Sequence, residues 1–309
     1  MHRFDDGEEL MSLQSVSIGR KENMEKVIEV RGLVKRFGDK AAVNGVDLDV
    51  YKGEMFAFLG PNGAGKTTTV RVLSTLTGFD EGTVIVDGHD IKKHPDEAKT
   101  RIGVIQQHIS LDKDLTVWEN MMQHTMYHKI PKSERQSRID ELVEYVGLGE
   151  YTDYMVSDLS GGWKKRVSIV CALLHKPKIL FLDEPTAGLD IQARRMLWDL
   201  IRRLNMDGTT TFLTTHYIEE AEALCHRVGI INKGRIIAMG TPQELTDRIG
   251  KVAVEYFDSS GVTKYNYFKD RESANAYATT LTAQDRVVIR KTSLEDCFVE
   301  LTGTTVGGM

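Results

Sequence analysis

The chain has 309 residues, 41% of them hydrophobic and 28% charged. That is an ordinary globular composition, long enough for one large domain or for one of about 200 residues with a smaller appendage. A formal net charge of -5 and a pI near 6.0 argue against a general nucleic-acid binder, whose footprint would be basic. Three dispersed cysteines, Cys171, Cys225 and Cys297, form no CxxC pair and fit a reducing compartment better than a disulfide framework.

No apolar run approaches the roughly 20 residues that a membrane span requires. The acidic opening MHRFDDGEEL lacks the apolar centre of a secretory signal. Any membrane role is therefore expected to come through a partner.

In chain order, residues 1–25 are polar and aperiodic and are expected to be a tail. Order begins near Val27–Val30, and residues 42–50 alternate apolar and polar as a half-buried strand does. Met55-Phe-Ala-Phe-Leu59 is apolar throughout, which suits a strand covered on both faces. Residues 114–148 carry a helical pattern, with Pro131 near a start and Gly147 near a stop. Further helices are expected at 196–204 and 218–224, and buried strands at 179–182 and 210–214. Short strands follow at 228–231 and 235–238. Strands alternating with helices indicate an α/β domain. After Gly240-Thr-Pro242 the texture changes: strands at 252–256, 263–267 and 287–289 surround a helix near 271–282, an α+β appendage. The expected division is a tail at 1–25, a main domain at 26–246 and an accessory domain at 247–309.

Gly60-Pro61-Asn62-Gly63-Ala64-Gly65-Lys66-Thr67 follows a buried strand and fits G-x-x-x-x-G-K-[ST], with Thr68 extending it. Glycines let backbone N–H groups curl around a phosphate, and the helix starting near Lys66 turns its positive end toward the anion. Lys66 can reach the β- and γ-phosphates, and the Thr67 hydroxyl can ligate Mg²⁺. The strand 179–182 ends in Asp183-Glu184. Asp183 can thus stand beside Mg²⁺, and Glu184 can polarise an attacking water as a general base.

Leu159-Ser160-Gly161-Gly162, Gln107 in Ile-Gly-Val-Ile-Gln-Gln, Gly188-Leu-Asp190 and His216 in Thr-Thr-His follow in the order and spacing of the ABC ATPases. From about residue 27 to 245 the chain resembles that family. The resemblance implies a P-loop NTPase core with a helical signature subdomain, working as a dimer around two ATP molecules with Mg²⁺. It implies that Phe37 stacks on adenine, a core phenylalanine being the other reading. Gln107, with Gln106 as the alternative register, would touch Mg²⁺ or the attacking water. His216 would contact the γ-phosphate. Ser160, Gly161 and Gly162 would cap the ATP of the opposite subunit, and Asp190 would lie at the dimer interface. Trp163 stands where the family often has Gln, a departure expected to alter how the signature helix packs or signals. Lys164, Lys165 and Arg166 on that helix read either as phosphate contacts or as a solvated face.

The segment from Trp118 to His128 is rich in Met and His, and the resemblance places it in the region that meets the membrane partner. His124 and His128, four apart, have a metal-compatible spacing, but no Cys or carboxylate completes a set, so an exposed or partner-contact face is the favoured reading. The ending Thr292–Gly303 resembles the tail of single-cassette ATPases from daunorubicin-type drug-resistance exporters. That implies a separately encoded transmembrane permease of the type-two exporter class, a homodimer or ABC ATPase heterodimer on the cytoplasmic face of the cell membrane, and no nucleic-acid partner. The alternative function is a soluble ABC ATPase serving an assembly process such as iron–sulfur cluster building.

Overall fold

A computed structural model describes residues 24–108, 110–258, 260–281 and 286–303. The tail expected at 1–25 lies outside the described residues except for its last two. The chain begins with β1 (Lys26–Phe37), β2 (Lys40–Tyr51), β3 (Met55–Leu59), α1 (Lys66–Leu73), β4 (Glu81–Val86), β5 (His89–Asp90), α2 (Pro95–Lys99) and β6 (Ile102–Ile105). A helical stretch follows: α3 (Val117–Tyr127), α4 (Lys132–Val146) and α5 (Gly161–Leu173). Then come β7 (Ile179–Asp183), α6 (Ile191–Met206), β8 (Thr210–Thr215), α7 (Ile218–Leu224), β9 (Arg227–Asn232), β10 (Arg235–Gly240) and α8 (Pro242–Ile249). The described chain ends with β11 (Val252–Phe257), β12 (Thr263–Phe268), α9 (Arg271–Ala278), β13 (Val288–Lys291) and α10 (Leu294–Thr302).

The strands form three sheets. The central one has the order β10-β9-β3-β8-β7-β6, parallel except for β10. An antiparallel sheet, β2-β1-β4-β5, lies over one of its faces, and helices cover the other. All five residues of β3 are buried. Phe56 and Phe58 join the core under the antiparallel sheet, where Phe212 packs against Phe56, Phe58 and Phe181 at centroid distances of 5.4, 5.8 and 5.6 Å. Met55, Ala57 and Leu59 point the other way, into the core shared with α3 to α8. Burial on both faces is why the strand reads as an unbroken apolar run, and each such phenylalanine contributes about 2–3 kcal/mol.

The third sheet, β12-β11-β13, is antiparallel and separate. Leu294, Cys297 and Phe298 of α10 join the core that includes Leu245 of α8, and the Cys297 thiol lies 3.3 Å from the Leu245 carbonyl oxygen.

The helical pattern at 114–148 resolves into two helices, and Pro131, expected near a helix start, caps α4 because it cannot donate to a continuing α3. Thr116 and Glu119 close a capping box that starts α3, and Gly147, with φ of 73°, ends α4. Strands β4 and β6 were not expected; β6, only four residues long, carries Gln106 and Gln107 at its end.

His124 is half-buried, and His128 is exposed together with Met126 and Tyr127. With His175 the two histidines line a cavity of about 280 Å³, and the His128 and His175 rings stack at 3.8 Å with an interplanar angle of 7°. Among the described residues no group of three or more His, Cys, Asp or Glu is placed to hold a metal ion. Burial, helped by the neighbouring His128, pushes the His175 imidazole down from its ordinary 6.5 to about 4. Between those values the unfolded chain binds the extra proton, so stability is lost as pH falls from about 6.5 to about 4. His175→Phe keeps a flat ring against His128 and is expected to make the thermal midpoint fall less steeply with acidification. Thermal melts across that interval test this, and parallel profiles for the two proteins would disprove the assignment.

Candidate active site

The phosphate loop connects β3 to α1, so its backbone issues from a strand buried along its whole length. Gly65 has φ of 110°, and a Cβ there would fall on the carbonyl oxygen of Ala42, so only glycine fits. At Gly60 a Cβ would collide with the Ile231 carbonyl oxygen, which lets β9 press against the start of the loop. Lys66 is buried, and its ammonium donates to the Gly60 and Pro61 carbonyls at 2.7 and 3.2 Å. Burial depresses its pKa, while Glu184 and Asp183 pull the other way.

Asp183 ends β7, beside β8. Its Oδ1 accepts from the Thr67 hydroxyl at 3.1 Å and from the Thr214 hydroxyl at 2.5 Å. Glu184, the next residue, has φ of 46°, a left-handed conformation seldom held by a side chain of this kind. Its N–H donates to the Thr214 carbonyl at 3.1 Å, which fixes the turn to β8. The Glu184 carboxylate is thereby placed over the loop, with Oε1 3.5 Å from Lys66 Nζ. Its Oε2 accepts from Gln107 Nε2 at 3.2 Å and lies 3.2 Å from His216 Nδ1, a close approach without hydrogen-bond alignment.

Of the two glutamines, Gln107 therefore faces Glu184. Gln106 turns its side to the histidine-lined cavity, and its carbonyl, like that of Gln107, accepts from Lys165 Nζ at 2.9 Å. This corrects both readings of the basic run on α5: Lys165 is neither solvated nor at the phosphate loop, and burial depresses its ammonium. Lys164 donates to the Ser157 carbonyl at 3.0 Å, and Arg166 lies over the Trp163 ring at 4.6 Å. Trp163 stacks on Tyr151 at 4.1 Å, so the departure from the usual Gln adds an aromatic anchor to the start of α5.

A cavity of about 620 Å³ gathers Phe37, Asn62, Gly63, Gly65, Lys66, Thr67 and Thr68 with Gln107, Glu184 and His216. Phe37 is 58% exposed at its rim, which rules out the core reading. Gly60, Pro61 and Ala64 do not line it; the first two serve through their carbonyls to Lys66, and Ala64 is packed in the core. Ser160, Gly162 and Asp190 line a different hollow of about 270 Å³ that shares no residue with the first. There Ser160 caps α5, accepting from Trp163 N–H at 3.5 Å, and Asp190 caps α6, accepting from Ala193 N–H at 2.8 Å. Gly161 begins α5, and at Gly162 a Cβ would press on Ala193 at 3.1 Å.

Sequence reasoning missed Lys40, which lines the larger cavity beside Phe37; the pairing of Phe37 with Lys40 across the β1–β2 hairpin was the available signal. It also missed Thr214, for which no linear signal exists, since only the parallel pairing of β7 with β8 sets it against Asp183.

The family model described as ABC transporter matches residues 43–187. The chain is 38% identical over 301 residues to a Nod factor export ATP-binding protein I of Ralstonia nicotianae, covering 90% of this chain and 94% of that protein. It is 40% identical over 238 residues to a linearmycin resistance ATP-binding protein of Bacillus subtilis, covering 77% and 76%. Among solved structures it is similar to a dimeric post-hydrolysis ATP-binding cassette bound to ADP and Pi, with a TM-score of 0.62 and 27% identity over 69% of this chain and 98% of that one. With relatives aligned along most of its length, the chain belongs to the family of ABC transporter ATP-binding proteins, and its activity is ATP hydrolysis.

Proposed function

We propose that this chain is the ATP-hydrolysing subunit of an exporter, closing as a dimer around two ATP molecules to drive a separate membrane permease of the type-two exporter class. The observation that carries the hydrolytic reading is the Glu184 carboxylate, set among Lys66, Gln107 and His216 at the phosphate loop. The export reading is supported by relatives named for Nod factor export and linearmycin resistance. Among the described residues no helix is long and apolar enough to cross a membrane; in this reading the permease is a separate chain and the subunit works at the cytoplasmic face of the membrane. In this reading residues 26–246 are the nucleotide-binding domain and 247–309 the accessory domain, although α8 (Pro242–Ile249) runs across that boundary and its Leu245 packs with α10.

In this reading Phe37 stacks on the adenine, a flat contact of low entropic cost. The loop amides and the N-terminus of α1 hold the β- and γ-phosphates, and Lys66 adds a buried positive charge. Thr67 and Asp183 offer hard oxygen donors 3.1 Å apart, and Gln107 an amide oxygen, a set that fits Mg²⁺. When bound, Mg²⁺ neutralises charge building on the transferred phosphoryl group. Glu184 accepts the proton of the attacking water, Gln107 orients that water, and His216 stabilises the γ-phosphate oxygens. Ser160 and the Gly161 and Gly162 amides cap the ATP of the second subunit, with Asp190 between the two sites. Because the signature hollow and the loop cavity are separate within one chain, a second copy is the physical route to join them.

Glu184→Gln should bind ATP yet lose about 10²–10⁴-fold in turnover and accumulate an ATP-dependent dimer in size-exclusion chromatography. Unchanged hydrolysis would remove Glu184 from the base role. Ser160→Arg should block dimer closure and turnover while the isolated monomer binds nucleotide as before; lost monomer binding would count against the shared site. Gentle purification from the native cell should bring down a polytopic membrane protein in stoichiometric amount, and a complex with soluble proteins alone would sink the exporter reading.

A further inference from the structure

Glu220 lies in the first turn of α7, four residues beyond His216, and is fully buried. Its Oε1 accepts two hydrogen bonds. One comes from the Thr186 hydroxyl at 2.9 Å, two residues after Glu184, and the other from the Trp198 indole N–H at 3.0 Å. Trp198 belongs to α6, the helix that Asp190 caps. A single buried oxygen therefore ties together the turn bearing Glu184, the helix rooted at Asp190 and the segment that follows His216. The same junction is closed on its other side by Arg194 of α6, whose guanidinium lies 4.6 Å over the Tyr217 ring, itself 4.1 Å from His216.

The Glu184 turn needs such an anchor. A non-glycine residue at φ of 46° persists only where its surroundings over-determine it. The N–H of Glu184 is held by Thr214 at one end, and Ala187 N–H closes the turn onto the Glu184 carbonyl at 3.2 Å. Thr186, fully buried, supplies the remaining side-chain tie, and that tie ends on Glu220.

We propose that Glu220 is a positioning residue for ATP hydrolysis, acting through Thr186 to hold the Glu184 carboxylate at the γ-phosphate end of the loop and through Trp198 to register that turn with α6. This inference rests on Glu184 being the general base. The role needs an acceptor oxygen, not a charge. Burial pushes the Glu220 carboxyl above the usual carboxylate range, against the opposing pull of its donors Thr215, Thr186 and Trp198 and of the Arg194 charge.

The test compares ATP turnover and nucleotide affinity in the full chain. Glu220→Ala should lower kcat on the order of 10–100-fold, the effect of a displaced reacting group, with KM for ATP held. Glu220→Gln retains the Oε1 acceptor and should recover most of that loss. If Glu220→Ala does not fold, Thr186→Val and Trp198→Phe, which each remove one donor, should show the same drop in kcat without a change in KM. Wild-type kcat in the alanine variant, or in both donor variants, overturns the role, as does a glutamine variant no better than alanine. A fall in nucleotide affinity parallel to kcat also overturns it, since that marks general loosening of the site. Glu184→Gln, assayed alongside, separates the two ideas: a dead Glu184→Gln with an unimpaired Glu220→Ala rejects positioning alone, whereas a fully active Glu184→Gln rejects the base assignment and positioning with it.

Discussion

The strand Met55–Leu59 is buried on both of its faces, by phenylalanines under the antiparallel sheet and by aliphatic residues under the helices. With both faces of the central sheet covered, the groups that can meet a ligand are those at the carboxyl ends of its parallel strands, the usual place for sites in such sheets. The phosphate loop leaves β3 there, Asp183 and Glu184 leave β7, and His216 leaves β8. These strands are neighbours in the order β3-β8-β7, so three segments far apart in the chain arrive at one edge.

The electrostatics of that edge follow from its burial. Lys66 and Lys165 both lose hydration, and both have depressed ammonium groups held by backbone carbonyls. Such cations interact strongly with nearby carboxylates because little water screens them. Lys165 also makes a mechanical link: it stands on the helix that Ser160 caps and grips the carbonyls of Gln106 and Gln107. Lys165 thereby ties α5 to the backbone of the glutamine that touches Glu184. Glu220 makes a comparable junction on the opposite flank, joining α6 and α7 to the turn after Glu184.

The chain belongs to a transporter family, and on a single copy the hollow at the phosphate loop and the hollow at Ser160 and Asp190 share no residue.

Much of the site was legible in the linear chain because its chemistry is local. The phosphate loop and the carboxylate pair after an apolar strand each need consecutive residues, so spacing pointed to Lys66, Thr67, Asp183 and Glu184, whereas Ser160 was reached through the family resemblance. The doubly buried strands were legible for the same reason, since an unbroken apolar run has few other uses. Strand β6, only four residues long, was not, because so short an element carries too little periodicity and is settled by packing. Tertiary structure alone decided that Gln107, and not Gln106, faces Glu184, that Thr214 meets Asp183, that Lys165 turns inward, and that His128 stacks on His175. Each of these joins residues from different elements, and sheet order and helix packing set such distances, whereas sequence spacing constrains only neighbours along one element.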